Sequence, residues 1–199
     1  MLPTLVLASS SPWRRAILDK LGLPYRTKHP DIDETPLPGE TAEALVSRLA
    51  EAKARAVAPT YKDALVIGSD QVAVLDDQII GKPGTHDRAA EQLRAASGRS
   101  ISFLTGLCLL NTATGASQIE VVPFHVHFRT LSDELIEAYL QHEQPYNCAG
   151  SFRSEGAGIV LFDRLEGDDP NTLVGLPLIR LSRMLEAEGV SPFNIQRSG

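Results

Sequence analysis

The sequence predicts a mixed α/β domain, and three of its features indicate this class. Residues 64–68 are a short unbroken apolar run, which is typical of a strand buried on both faces. Residues 41–58 combine helical spacing of apolar side chains with strong helix formers. Residues 100–110 and 118–128 are long strand-like stretches, and the short segment between them predicts an antiparallel pair. Because the chain mixes these elements without a repeat or a linker, we expect one α/β unit.

The first elements run in the order strand, serine-rich loop, helix. Residues 4–8 are apolar and predict a buried strand. Ser11 is a natural N-cap and Pro12 suits the first turn of the helix that follows. The prolines and polar residues of segment 29–39 predict a loop. This loop carries a cluster of acids: Asp31, Asp33 and Glu34.

The remaining elements complete the α/β pattern. The apolar run 64–68 ends at Ser69 and Asp70, so we expect Asp70 near the end of a central strand. The other predicted elements are a hairpin over 72–75 and 78–80, helices over 87–96 and 132–142, a strand near 159–162, an acidic turn over 166–169 and a last helix over about 177–188.

Size and composition exclude several classes of protein. A chain of 199 residues, 43% hydrophobic, can bury one core and predicts a single domain. A net charge of −6 without a basic run disfavours a nucleic-acid polymer as partner, although a few placed cations suffice for a free nucleotide. No stretch approaches the roughly 20 apolar residues of a membrane helix, so we expect no membrane partner. Cys108 and Cys148 form no CxxC pair, which favours a reduced, cytoplasmic location.

The start of the first helix predicts a phosphate site. Ser9, Ser11 and Arg14 place hydroxyls, free main-chain N–H groups and a guanidinium where a helix follows a strand. An ordinary capped helix with exposed arginines explains these residues equally well. The chain has no GxxxxGK[ST] pattern, so a P-loop NTPase is disfavoured.

Four further residues are candidates for metal and phosphate chemistry. Glu34 and Asp70 offer the carboxylates that magnesium and water activation require, although an acid in a loop is most simply solvated. Lys53 shares a helical face with apolar residues and either reaches a site or extends past the core to solvent. Lys82, between Gly81 and Pro83, either neutralises a phosphate or is a solvated turn lysine.

Two histidines and three acidic residues have a simpler structural explanation than a catalytic or metal-binding role. His125 and His127 alternate with apolar residues, so both point to one side of a strand, but no third metal ligand is suggested nearby. We interpret them as part of a polar sheet face. Glu166, Asp168 and Asp169 are most simply a solvated turn.

The ordered motifs of this chain resemble the Maf family over almost its whole length, to about Glu188. The motifs are LASSSPWRR, DIDE, LAEAKA, GSDQ, IIGKP, SGRS, AGSFRSEG and NTLVGLP. The resemblance implies a mixed elongated sheet flanked by helices with a deep cleft, related to inosine triphosphate pyrophosphatases. It also implies a homodimer and a magnesium or manganese cofactor. From the size of the chain we expect one domain over residues 1–189 with two lobes around the cleft, and the residues after Gly189 predict a tail over 190–199.

The resemblance also implies roles for individual residues. Asp70 matches the proton acceptor that activates water, and Glu34 the acid at the metal, so that these two residues would be the metal ligands. The matching phosphate-facing residues are Ser9, Ser11, Arg14, Lys53 and Lys82. Together they imply hydrolysis of a nucleoside triphosphate between its α- and β-phosphates.

Three positions depart from the dTTP and UTP branch of the family and resemble its 7-methyl-GTP branch. Trp13 stands where arginine is usual, Gln71 where threonine is usual and Glu155 where glutamine is usual. An indole face and a carboxylate both attract the positively charged 7-methylguanine base. Alternatively, Trp13 is a core residue beside Ile17 and Leu21, and Glu155 caps a turn.

The expected activity is therefore that of a hydrolase converting 7-methyl-GTP to 7-methyl-GMP and diphosphate, which would remove modified nucleotides. Three alternatives stay open from the sequence. Two are enzymes that use the same cleft: a dTTP or UTP pyrophosphatase of the same family, and a pyrophosphatase that removes other altered nucleotides such as deaminated purines. The third is a non-catalytic nucleotide-binding regulator of septum formation.

Overall fold

A computed structural model of the protein describes residues 3–193 and shows an α/β fold. Four helices begin at a serine or threonine whose hydroxyl accepts a main-chain N–H of the first turn, as Ser11 does from Arg14. The α-helices in this range are α1 (Pro12–Leu18), α2 (Ala42–Val57), α3 (His86–Ala96), α4 (Asp133–Glu143) and α5 (Leu178–Ala187).

Seven strands within the described residues form one mixed sheet in the order β2-β1-β3-β5-β6-β7, with β4 paired to β3. Strand β1 is parallel to both β2 and β3, with Leu5 opposite Tyr25 on one side and Leu65 on the other. The pairs β3–β4 and β6–β7 are antiparallel. The strands are β1 (Thr4–Leu7), β2 (Tyr25–Thr27), β3 (Ala64–Leu75), β4 (Gln78–Ile80), β5 (Ser100–Asn111), β6 (Ser117–Phe128) and β7 (Phe162–Glu166).

The α/β class, the five predicted helices and the predicted hairpin are confirmed, but two strand predictions are wrong. Strand β3 does not end at Asp70 but continues to Leu75, so Asp70 lies inside a 12-residue strand. Residues Ala157–Leu161 form a 3₁₀ turn rather than a strand, and β7 begins after them at Phe162. Gly158 explains the second difference, because a Cβ there would overlap the main-chain oxygen of Arg153, which the compact turn brings close.

The chain divides into two compact units, each with its own core. Unit 1 comprises the described residues of 3–70, 105–122 and 175–193, and unit 2 comprises Gln71–Leu104 and Pro123–Val174. In unit 1, small and β-branched residues of β1, α2 and β3 form a core with Cys108 and Leu110. In unit 2, α3 and α4 pack on aromatic residues of β5, β6 and β7, and Phe152 contacts Phe103, Phe128 and Phe162 edge to face.

Two glycines allow α2 to lie directly on the strands of unit 1. A Cβ added at Gly68 of β3 would overlap the main-chain oxygen of Ala50, and one at Gly106 of β5 would overlap that of Val46. The helix backbone therefore occupies the space that side chains would otherwise fill. Because the helix lies this close to the strand, the side chain of Lys53 on α2 reaches Asp70 on β3.

Two further expectations concern the C-terminal tail and a membrane-spanning helix. Of the tail predicted over residues 190–199, residues 194–199 lie outside the described range. Within residues 3–193, no helix has the length and apolar composition needed to cross a membrane.

Candidate functional site

Lys53 joins the two carboxylates that the sequence singles out. Its Nζ donates to Asp70 Oδ1 at 2.6 Å and lies 2.8 Å from Glu34 Oε1. Lys53 and Asp70 are buried, whereas the Glu34 side chain is 58% exposed. Lys53 therefore ends in an ion pair and does not extend past the core to solvent. We call Glu34, Lys53 and Asp70 the carboxylate–lysine cluster.

The carboxylate–lysine cluster contains two carboxylates and one ammonium group. Its oxygen donors are the kind that magnesium and manganese prefer. Within residues 3–193, no group of three or more histidine, cysteine or acidic side chains is placed to hold a metal by itself. Two carboxylates suit an ion that also takes oxygens from a bound phosphate and from water, as magnesium usually does.

Arg14 is held by a main-chain carbonyl in the same unit. Its Nε donates to the Gly175 oxygen at 2.8 Å, and the buried hydroxyl of Ser69 donates to that oxygen at 2.8 Å as well. Burial lowers the pKa of Arg14, while the charges of Asp70 and Glu34 oppose that shift. Arg14 is half-buried, and a guanidinium held in place by a carbonyl suits binding to a phosphate.

The serine-rich loop precedes Arg14 directly. Ser9 is buried, and its Oγ accepts the main-chain N–H of Ser11 at 3.1 Å. The Ser11 hydroxyl accepts the N–H of Arg14 at 3.3 Å and so serves as the N-cap of α1. The structure thus shows the capping role of Ser11, and phosphate binding by Ser9 and Ser11 stays a prediction.

Trp13 is not a core residue. Its side chain lies on α1 directly before Arg14 and is 45% exposed, whereas Ile17 of the same helix is buried. The alternative that Trp13 only belongs to an apolar stripe is therefore wrong. An indole with this exposure has a face that a planar cation can approach.

The other three predicted site residues, Gln71, Lys82 and Glu155, belong to unit 2. Gln71 donates from Nε2 to the Thr172 carbonyl at 2.7 Å. Lys82 is exposed in a turn that is fixed by the N–H of Gly84, which donates to the Tyr146 carbonyl at 2.9 Å. This anchoring gives Lys82 a defined location rather than a free loop.

Glu155 and Lys82 both act electrostatically on the Cys148 thiol. Burial raises the pKa of Cys148, Glu155 raises it further, and Arg153 and Lys82 lower it. The exposed carboxylate of Glu155 accepts from the Ser154 hydroxyl at 3.3 Å and lies 3.8 Å from Arg153 Nε. Unit 2 therefore brings Lys82 and Glu155 into one neighbourhood around Cys148.

The histidines of β6 lie on a polar sheet face, as the sequence predicts, and Glu166 of β7 lies opposite them. His125 Nδ1 lies 2.9 Å from Ser102 Oγ, and His127 Nε2 lies 2.9 Å from Glu166 Oε2. Asp169 is the exception in the acidic segment, because it is 1% exposed and accepts from the main chain and side chain of Asn171. The solvated-turn prediction is therefore wrong for Asp169, which is buried, and for Glu166, which is exposed but is the last residue of β7.

Comparison with known proteins identifies the family. The family model described as Maf-like protein matches residues 4–188. The chain belongs to the Maf family. Among curated Maf relatives, a 7-methyl-GTP pyrophosphatase from Nitrosococcus oceani is 64% identical over 94% of both chains. A 7-methyl-GTP pyrophosphatase from Alcanivorax borkumensis is 63% identical over 94% of this chain and 95% of its own.

Several contacts at this Maf site involve residues that the sequence does not single out. The Gly175 carbonyl orients Arg14, and Ser69 shares that acceptor. Arg48 contacts the loop that carries Glu34, through Glu40 and the Thr35 carbonyl. Main-chain acceptors leave no mark on a hydrophobicity pattern, and an arginine on a helix is usually solvated. The only signal is that Gly175 lies inside one of the family's motifs, NTLVGLP.

Proposed function

We propose that this protein is a nucleoside triphosphate pyrophosphatase that hydrolyses 7-methyl-GTP to 7-methyl-GMP and diphosphate. The observation that carries the proposal is the carboxylate–lysine cluster, whose buried acid and lysine lie in the same unit as Arg14. The names of the two curated relatives support the substrate. The reaction class is hydrolysis of an acid anhydride, which needs a base for water and cations for the phosphates.

Asp70 is the proton acceptor in this proposal. Lys53 donates to Oδ1 and so fixes the orientation of the carboxylate on β3. A carboxylate has about four acceptor positions, so it can take a proton from water while the lysine stays bound. Placed near the α-phosphorus, that water attacks in line and expels diphosphate. Asp70 thus removes the proton, and Lys53 keeps the carboxylate in place for it.

A divalent cation belongs to the proposal because the available donors fit one. Glu34 and Asp70 would hold it, and the cation would neutralise charge on the phosphates and on the departing diphosphate. Arg14, oriented by the Gly175 carbonyl, binds phosphate oxygens, with Ser9 and Ser11 beside it in sequence. Lys82 is proposed, from the family resemblance, to neutralise the leaving diphosphate.

Trp13, Gln71 and Glu155 are the proposed specificity residues. The exposed indole stacks on the positively charged 7-methylguanine, and the exposed Glu155 carboxylate adds charge attraction and accepts N–H groups of the base. A cation–π contact contributes about 0.5–2 kcal/mol. Trp13→Ala should therefore lower kcat/KM for 7-methyl-GTP by about 2- to 30-fold more than for GTP, since 1.4 kcal/mol is a factor of ten.

The first test is diphosphate release from 7-methyl-GTP, GTP, dTTP, UTP and ITP with magnesium or manganese. The proposal expects preference for 7-methyl-GTP. Preference for dTTP or UTP would support the proposed reaction but refute the assignment of Trp13, Gln71 and Glu155 as residues specific for 7-methylguanine. Release from none of the five would favour a nucleotide-binding regulator.

The Asp70→Asn variant separates catalysis from binding. Nucleotide binding should persist, whereas turnover should fall by about 10²–10⁴-fold, the usual contribution of a positioned base. Unchanged turnover would refute the role of Asp70. Binding is measured by calorimetry with an uncleavable α,β-methylene analogue, so that loss of turnover is not confused with loss of the nucleotide.

A homodimer and a cytoplasmic location complete the proposal. The dimer rests on the family resemblance, and the location rests on the two free cysteines, Cys108 and Cys148. Light scattering coupled to size exclusion measures the mass of the particle against the 21.5 kDa of one chain. A mass of one chain at micromolar concentration would exclude the dimer. Fractionation of the source cells tests the location, which is wrong if the protein is found outside the cytoplasmic fraction.

A further inference from the structure

Glu34 lies in an exposed loop, so another part of the molecule must fix its position. Its side chain is 58% exposed, and the carboxylate contacts Lys53 at 2.8 Å. We propose that Arg48 and Glu40 are positioning residues that hold this loop on α2 and thereby present Glu34 to the metal. The inference deepens the proposed function and rests on its assignment of Glu34 as a metal ligand.

The contact between Arg48 and Glu40 is bidentate. Arg48 Nε donates to Glu40 Oε1 at 2.6 Å, and a terminal nitrogen of Arg48 donates to Glu40 Oε2 at 2.7 Å. The same nitrogen donates to the Thr35 carbonyl at 3.2 Å. Glu40 Oε2 also accepts the N–H of Leu37 at 2.9 Å. One ion pair therefore binds the main chain of the loop at two places.

The position of this ion pair explains why it matters for Glu34. Thr35 follows Glu34 directly, and Arg48 and Lys53 belong to the same helix. Helix α2 thus holds the loop through the Thr35 carbonyl and receives the Glu34 carboxylate at Lys53. If the first contact is lost, the main chain beside Glu34 loses its bond to α2, and a half-exposed ion pair such as Glu34–Lys53 restrains a chain only weakly.

Burial and charge indicate that the pair is well formed. The Glu40 side chain is only 7% exposed and that of Arg48 is 32% exposed. The hydrogen bond from Arg48, followed by that from the Leu37 N–H, lowers the pKa of Glu40 to about 2. Glu40 therefore stays ionised and bonded throughout the neutral range, in which nucleotides and divalent cations bind. A bidentate arginine contact also fixes geometry, which a lysine does not reproduce.

The test compares Arg48→Ala, Glu40→Gln and Arg48→Lys with a matched control, Arg55→Ala. Arg55 forms an ion pair with Glu51 on the same helix, with its NH2 group 2.6 Å from the carboxylate, so its charged partner belongs to α2 and not to the loop. Glu40→Gln preserves the size of the side chain, so folding should persist even if Arg48→Ala is destabilised. Circular dichroism checks the fold of each variant.

Two measurements report on the mobility of the loop and on the affinity of the metal site, and neither requires turnover. Hydrogen–deuterium exchange of the peptide spanning residues 33–40 should accelerate in Arg48→Ala and Glu40→Gln but not in Arg55→Ala. Manganese binding in the presence of the α,β-methylene analogue of 7-methyl-GTP, followed by electron paramagnetic resonance, should weaken by about 10- to 100-fold, as expected when the support of a metal ligand is removed. Arg48→Lys should recover only part of both effects.

The outcomes separate this inference from the proposed function. Equal hydrogen–deuterium exchange in Arg48→Ala and the wild type would overturn the inference. Faster exchange in the variant with unchanged manganese affinity would also overturn it. So would a wild type that binds no manganese. If the wild type releases no diphosphate while both measurements shift as expected, the proposed function fails and the positioning role stands.

Discussion

Replacing Lys53 by methionine tests whether the buried part of the carboxylate–lysine cluster holds together by charge. Methionine keeps the length and the apolar stem of the side chain but removes the ammonium group. After the change, the Glu34 carboxylate, whose side chain is 58% exposed, is solvated by water. The Asp70 side chain is only 10% exposed, so water does not replace the lost ammonium group there. The cost therefore comes mainly from one buried carboxylate without its cation.

The expected size follows from that difference in exposure. Removing one partner of a buried ion pair costs about 3–5 kcal/mol, and the exposed Glu34 places Lys53→Met near the lower end, at about 3 kcal/mol. For a chain of this length, each kcal/mol shifts the melting temperature by about 2–4 °C, so the midpoint should fall by about 6–12 °C. The control Arg55→Met removes an exposed pair within one helix and should cost about 0.3–0.5 kcal/mol.

Thermal unfolding followed by circular dichroism in EDTA measures both variants. The double variant Lys53→Met/Asp70→Asn should melt above Lys53→Met, because the uncompensated charge is then gone as well. A loss of less than 1 kcal/mol for Lys53→Met, equal to an exposed pair, would refute the reasoning. So would a double variant that is no more stable than the single one.

Three further predictions concern packing, pH and thiols. Gly68→Ala should cost about 1–3 kcal/mol in urea unfolding, because its Cβ overlaps the α2 backbone; an unchanged midpoint would contradict this close packing. Since the pKa of Glu40 falls to about 2 from an ordinary 4.5, its bond to Arg48 stabilises the fold fully above pH 4.5 and is lost as the pH falls toward 2. The stability gap between wild type and Glu40→Gln should shrink over that range, and a constant gap would count against it. Cys108 is buried with a pKa raised to about 12, so a thiol reagent at pH 8 should label native wild type only at Cys148, and labelling of Cys148→Ser would disagree.

Much of the fold follows from local patterns in the sequence. Hydroxyl caps, the proline at the start of α1 and the spacing of apolar residues in α2 are signals within a few residues, and the structure contains the corresponding elements. The sequence predicts that strand β3 ends near Asp70, because the polar residues Ser69 and Asp70 interrupt its apolar run. In the structure they stay in the strand, since Ser69 bonds to the Gly175 carbonyl and Asp70 to Lys53. Contacts with residues distant in the sequence therefore keep these polar residues in the strand, although the local pattern predicts that the strand ends there.

The sequence by itself determined the α/β class, the family and the residue types available for phosphate and metal chemistry, because ordered motifs and periodicity are properties of the chain. Only the tertiary structure decided that Lys53 ends between Glu34 and Asp70, that Gly175 orients Arg14, and that Trp13 is exposed. The physical reason is that these facts depend on distances between residues far apart in the chain. Such distances are set by the close packing of α2 on the sheet, which Gly68 and Gly106 permit, and by main-chain carbonyls, whose positions no side chain indicates.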